Sequence, residues 1–177
     1  DRNFRQGMSV INASNLLVER TTFSNTDGTP PMAGIDMEPD SHCMMFVNAT
    51  IRDSTFIGNS GFGWILSPSM LNGSSRDLSI VLENITVSGG ATRPPPDTAH
   101  PAWRPGLGLG ITGILQDGTL RPDWGHGATG GSVLISNSTV SDTWGSGLFI
   151  TSKGAHAATV TVSRAPHLTV AAAFCRP

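Results

Sequence analysis

The chain predicts an all-β fold, a right-handed parallel β-helix (a solenoid) of about five turns, and three observations carry that expectation. Two short sequence units alternate along the chain, their apolar residues fall in matching columns when aligned, and insertions of unequal length separate strands of equal length. A turn of this kind cannot bury its apolar residues alone and becomes stable only when stacked on its neighbours. Parallel stacking at about 4.8 Å per turn gives continuous sheets with every ladder hydrogen bond made. The right-handed sense follows from the crossover preference of parallel strands within one sheet.

The first unit has apolar residues at positions one and three, a polar bend residue at five, often Thr at seven and usually an apolar residue at eight. It runs over Leu16 to Phe23, Ala49 to Phe56, Ile80 to Val87, Val133 to Val140 and, less regularly, Val160 to His167, where Pro166 replaces Thr. The second unit is Gly followed by an alternating strand, at Gly7, Gly34, Gly63, Gly110 and Gly147. Aligned on Gly, one inward column reads Met8, Ile35, Trp64, Ile111 and Leu148, and the next Val10, Met37, Leu66, Gly113 and Ile150. All but Gly113 are apolar in a chain with 38% hydrophobic residues, so the columns are not a chance alignment.

The 177 residues fit one domain, 1–177, with inserted stretches at 91–105 and 116–131. The chain opens on Asp1, and Gly7 starts a complete strand almost at once. The expectation is therefore a fragment of a longer β-helix, with more turns or a cap upstream. The composition agrees with many bends and little helix: 21 Gly, no Tyr, and Lys153 as the sole lysine. A net charge of -2 with no basic run gives nucleic-acid binding no support. No apolar run approaches the roughly 20 residues of a membrane span. Cys43 and Cys175 form neither a disulfide framework nor a zinc motif, and free buried thiols are expected. Five glycosylation sequons, at Asn12, Asn48, Asn72, Asn84 and Asn137, suit a secreted or cell-surface protein. Asn84 and Asn137 share the bend column of Arg20, Asp53 and Arg164, so stacking alone also accounts for those two.

The alternation and the Gly-strand columns resemble the pectin-lyase-like right-handed β-helix family over essentially the whole chain. Arg5-Gln6-Gly7-Met8-Ser9-Val10 followed by Gly34-Ile35-Asp36-Met37-Glu38-Pro39 looks like a segment common in its functionally uncharacterised branch. The resemblance implies a domain that binds an extracellular polysaccharide or cleaves it as a hydrolase or lyase; a non-catalytic adhesion or structural module is the alternative.

In the strand from Gly34, Asp36 and Glu38 alternate with Ile35 and Met37, so both acids project to the outer face about 6.6 Å apart. No other turn places an acid in those outward columns. Three roles suit the pair. Asp36 and Glu38 would act as general acid and base across a glycosidic bond, by inversion more naturally than by retention. With Asp40 or a carbonyl they would hold Ca²⁺, the one candidate cofactor, as a lyase does to neutralise a uronate. In the structural role they pair with Arg5, Arg52 or backbone N–H groups ahead of Pro39. Arg5 lies close enough in a stacked arrangement to neutralise one carboxylate, and with Arg52 it is the candidate for an arginine base of the pectate-lyase kind.

Asn25-Thr26-Asp27-Gly28 and Gly125-His126-Gly127 match fragments of the polygalacturonase pattern, but no Asp-Asp pair accompanies them and both are taken as coincidence. The alginate-epimerase pattern fails at Asp36-Met37-Glu38, and without Tyr no Tyr-dependent site lies wholly within this chain. The inserted stretches bracket the strand at Gly110 and carry Trp103 and Trp124, whose faces suit sugar rings, together with His126. These three are the candidate substrate-binding residues; covering exposed Ile65, Ile114 and Phe149 is the alternative use of the tryptophans. Asp123 with His126 is a weak metal pair. The expected partner is a polysaccharide, and the protein is expected to act as a monomer.

Overall fold

The computed structural model describes residues 1–90, 107–112, 130–143, 147–152, 159–164 and 170–174. The first coil is β1 (Gln6–Val10), β2 (Ala13–Ser14), β3 (Leu17–Glu19) and β4 (Thr22–Ser24). The second is β5 (Ala33–Met37), β6 (Phe46–Val47), β7 (Ala49–Arg52) and β8 (Thr55–Ile57), and the third is β9 (Phe62–Leu66), β10 (Leu78–Glu83) and β11 (Thr86–Ser88). Further described strands are β12 (Leu107–Thr112), β13 (Gly131–Ser136), β14 (Thr139–Val140), β15 (Leu148–Ser152), β16 (Thr159–Ser163) and β17 (Val170–Phe174).

These strands build three long sheets in the orders β1-β5-β9-β12-β15-β17, β3-β7-β10-β13-β16 and β4-β8-β11-β14, with a short β2-β6 pair at one corner. Every pairing is parallel and joins one coil to the next, so the protein is an all-β solenoid. About five turns are expected from sequence; the unbroken stretch 1–90 makes about three, and β12 to β17 extend the same sheets.

The core runs along the solenoid axis because alternate residues of all three sheets point inward. Ile35, Met37, Trp64 and Leu66 meet Ile51, Ile80, Leu82, Val133 and Ile135, with Phe56, Val87 and Val140 closing the third side. Each such side chain contributes roughly 1.5–3 kcal/mol on burial. The first unit keeps its expected register: Ala49, Ile80, Val133 and Val160 form one column, and Ile51, Leu82, Ile135 and Val162 another.

The polar residue at position five is where each coil bends. Arg20, Asp53, Asn84, Asn137 and Arg164 all adopt left-handed backbone, with φ between 49° and 50°. Asn and Asp tolerate that conformation better than most side chains. Stacking holds it at Arg20 as well, because four of these bend N–H groups donate one coil onward: Arg20 to the Arg52 carbonyl, Asp53 to Glu83, Asn84 to Ser136 and Asn137 to Ser163. Ser54 and Ser138 follow the bend and are buried. The Ser54 hydroxyl donates to the Arg52 carbonyl (2.7 Å) and accepts the Thr21 N–H (3.2 Å), which satisfies a polar group inside the wall.

The glycine that opens the second unit has a steric cause. A Cβ on Gly34 would stand 2.5 Å from both the Gly63 carbonyl oxygen and a Phe56 ring carbon. Phe23 and Phe56 stack beneath this column with ring centroids 5.3 Å apart.

One expected register is corrected. Met8, Ile35, Trp64 and Leu148 share a column as expected, but Leu109 fills the place given to Ile111, which is instead the register partner of Leu66 and Ile150. The run Gly106-Leu107-Gly108-Leu109-Gly110 is nearly unchanged by a two-residue slip, so aligning on Gly110 chose the wrong glycine; the lateral neighbour of Gly63 is Gly108.

Candidate functional site

Strand β5 lies between β1 and β9 in the longest sheet, and its alternation sends Ile35 and Met37 into the core. Asp36 points the other way and is flanked by Ser9 on β1 and Ile65 on β9. The outward position is nonetheless covered: Asp36 is only 2% exposed, and Ile65, Ala33 and Phe62 form a small apolar cluster of their own. Among the described residues no hydrogen bond or ion pair reaches the Asp36 carboxyl.

Burial raises its pKa to about 7, the negative charge of Glu38 pushes the same way, and the charge of Arg5 only partly opposes them. Glu38 follows the strand, is exposed, and donates its backbone N–H to the Val10 carbonyl (3.1 Å). The two acids therefore share a face but not an environment. One is a carboxyl that holds its proton close to neutrality, and the other is solvent-facing. Environments that differ in this way are how two carboxyl groups take separate acid and base roles.

Arg5 does not neutralise either acid through an ion pair. Its Nε donates to the Pro30 carbonyl (3.2 Å), and its charge acts on Asp36 from farther away. Arg52 belongs to a different sheet and pairs with Glu19 at 2.7 Å, so the expected structural pairing of Arg52 with Asp36 or Glu38 does not occur. Asp40 is exposed, and among the described residues no three His, Cys, Asp or Glu side chains gather as a metal site.

Trp103, Trp124, His126 and Asp123 lie outside the described residues, as does Gly125-His126-Gly127. Gly131, the last residue of the second inserted stretch, is the first of β13. Asn25-Thr26-Asp27-Gly28 forms a corner between β4 and β5: Asn25 takes a left-handed φ of 56°, and Thr26 is buried with its N–H donating to the Asn59 Oδ1 (3.1 Å). Cys43 is corrected in one respect. Its thiol is free but exposed, because the turn after Pro39 carries it outside the wall, where Sγ stands 3.4 Å from His42 Nε2.

Gln6 was not singled out from sequence. It stands opposite Ala33 at the head of the same sheet, and its Oε1 is buried with no partner. The available signal was a polar residue two places before Met8, at an inward position of the same strand.

Fold and site together define a parallel β-solenoid whose longest sheet carries the one buried acid among the described residues. No protein-family model, no curated protein and no solved structure matches the chain.

Proposed function

We propose that this chain is a carbohydrate-active β-solenoid of the pectin-lyase-like, right-handed kind, secreted or displayed at the cell surface, and that it cleaves a polysaccharide by acid–base chemistry at Asp36 and Glu38. The observation that carries the proposal is the buried Asp36 carboxyl, whose pKa stands at about 7 beside the exposed Glu38. A carboxyl half protonated near neutrality can give its proton to a glycosidic oxygen, and an exposed carboxylate beside it can receive one from water. This division of labour favours hydrolysis over the Ca²⁺-assisted lyase route.

Activity on a uronate-containing polysaccharide panel, with and without Ca²⁺, tests the proposal by reducing ends for hydrolysis and by ultraviolet absorbance of unsaturated ends for elimination. Reducing ends without unsaturated ends are expected, with activity falling as pH rises through about 7 because the acid loses its proton. Asp36→Asn and Glu38→Gln should each lower turnover by roughly 10²–10⁴-fold, the usual contribution of a positioned acid or base. Full activity in both variants would remove the catalytic assignment.

A second reading, a non-catalytic adhesion or spacer module, draws on the same burial. At 2% exposure Asp36 offers a polymer little surface, and an acid enclosed in this way can be a structural feature of one coil.

A further inference from the structure

The connection between β9 and β10 lies outside that site and carries chemistry of its own. Leu71 is buried in the core and anchors it, and Asn72-Gly73-Ser74-Ser75 then forms a turn at the surface. The Ser75 N–H donates to the Asn72 carbonyl (2.9 Å), and the Asn72 N–H donates to Ser75 Oγ (3.0 Å). Ser75 Oγ donates in turn to the His42 carbonyl (2.7 Å), which ties the turn to the second coil.

The Asn72 side chain folds back onto this turn, as asparagine does when it bonds backbone two residues on. Its Oδ1 accepts both the Ser74 N–H (2.9 Å) and the Ser74 hydroxyl (2.6 Å). A backbone N–H can only donate, so the atom facing it is the amide oxygen and Nδ2 is left over. Among the described residues Nδ2 has no hydrogen-bond partner, and neither has the Gly73 N–H. No atom lies within 4 Å of where a Gly73 Cβ would stand.

Other asparagines lack this combination. The N–H that follows each of Asn12, Asn25, Asn59 and Asn84 is already committed: Ala13 to the Met45 carbonyl, Thr26 to Asn59 Oδ1, Ser60 to the Thr26 carbonyl and Ile85 to Ser138 Oγ. Only Asn72 is followed by glycine, whose bare Cα leaves the nitrogen unshielded and the backbone free to rotate.

We infer that Asn72 is a site of spontaneous deamidation and that the turn itself assists the reaction. The Gly73 nitrogen gives its proton to water or hydroxide and attacks Asn72 Cγ, and the new N–Cγ bond leaves a tetrahedral intermediate with its negative charge on Oδ1. Both Ser74 donors already point at that oxygen, so they stabilise the charge as it develops. The Cγ–Nδ2 bond then breaks, and Nδ2 takes a proton from water and departs as ammonia. The product is a five-membered succinimide. Water opens the ring at either carbonyl and leaves aspartate or isoaspartate, so the net change consumes one water and releases one ammonia. The product gains a negative charge and no longer serves as the glycan acceptor of Asn72-Gly73-Ser74. As isoaspartate it also adds a carbon to the main chain, inside the turn that Ser75 ties to the His42 carbonyl.

The test incubates the full chain at pH 8 and follows each asparagine by peptide mass mapping, with isoaspartate read by isoaspartyl methyltransferase labelling. Asn72 should convert before any other asparagine. Gly73→Ala, for which the fold has room, should slow conversion about 10-fold or more because its Cβ hinders the approach to Cγ. Ser74→Ala should slow it roughly 3–10-fold, less than the loss of a donor from an enclosed oxyanion hole because water replaces the hydroxyl. Ser74→Thr keeps both donors and should convert at the wild-type rate. In urea, where the turn is not held, wild type and Ser74→Ala should convert alike, and circular dichroism should show each variant folded in its absence. Earlier conversion of another asparagine would overturn the inference. So would equal rates for folded wild type and Ser74→Ala, or a Ser74→Ala defect that persists in urea.

Discussion

At the scale of single residues, Asp36 couples the stability of the protein to pH. Its folded pKa of about 7 lies above the ordinary 3.8, so the folded state binds its proton more tightly than the unfolded state does. The stabilisation that this proton gives is fully present below the unfolded pKa and is lost as pH rises through about 7. The interval corresponds to about 4 kcal/mol at most, and side-chain relaxation and water entry reduce it. Asp36→Asn keeps the shape without the charge, so urea unfolding should find the variant more stable than wild type at pH 8 and nearly equal only at about pH 3, below the unfolded pKa, with an intermediate difference at about pH 5. Equal stability at every pH would mean that the carboxyl is solvated. The pairing of Asp36 with Glu38 was legible from alternation alone. Their inequality was not, since alternation says which face a side chain takes and nothing about what covers that face. Cys43 was misplaced for the related reason that thiols are usually buried, whereas this one rides on an exposed turn.

At the scale of strands, the glycine column at Gly34 records close contact with the neighbouring strand of its own sheet and with a phenylalanine ring of the β4-β8-β11-β14 sheet. Gly34→Ala would drive a Cβ to 2.5 Å from the Gly63 carbonyl oxygen and the Phe56 ring, both held by the stack, and should cost about 1–3 kcal/mol in urea unfolding. Gly73→Ala is the control, because no atom lies within 4 Å of its would-be Cβ and the change should be close to neutral. Equal effects would mean that the wall yields at Gly34. Leu109 offers a second test: it is buried between Trp64 and Leu148, so Leu109→Ala should cost about 2–5 kcal/mol. The register of the first unit was legible because its polar bend residue marks a unique position in every coil. The register of β12 was not, because alternating Gly and Leu leave no such mark. A slip of two preserves which side chains face inward and exchanges only their lateral neighbours, so hydrophobic pattern alone cannot detect it.

At the scale of the whole molecule, stability is shared along one dimension, since each coil touches only the coils beside it. The parallel stack was legible because repeated columns have no other economical explanation. The handedness was an expectation from general preference, and the inserted stretches carry no repeat from which their course could be read. One-dimensional coupling makes a specific demand on the 177-residue chain. Among the described residues, strands β1, β3 and β4 each pair on one side only, with β5, β7 and β8, whereas β5, β7, β8, β9 and β10 are paired on both sides. Breaking an outer coil forfeits one interface and breaking an inner coil forfeits two, so the inner coils open only in larger units. Native-state hydrogen exchange should therefore find the amides of β7, β9 and β10 slowest and those of β1, β3 and β4 measurably faster. A stabilising change in the second coil, such as Asp36→Asn at pH 8, should slow exchange in β5 and its neighbours more than in β16. Uniform protection from β1 to β10 would mean that the solenoid unfolds as one cooperative block, with coupling between coils stronger than the marginal stability of any one of them.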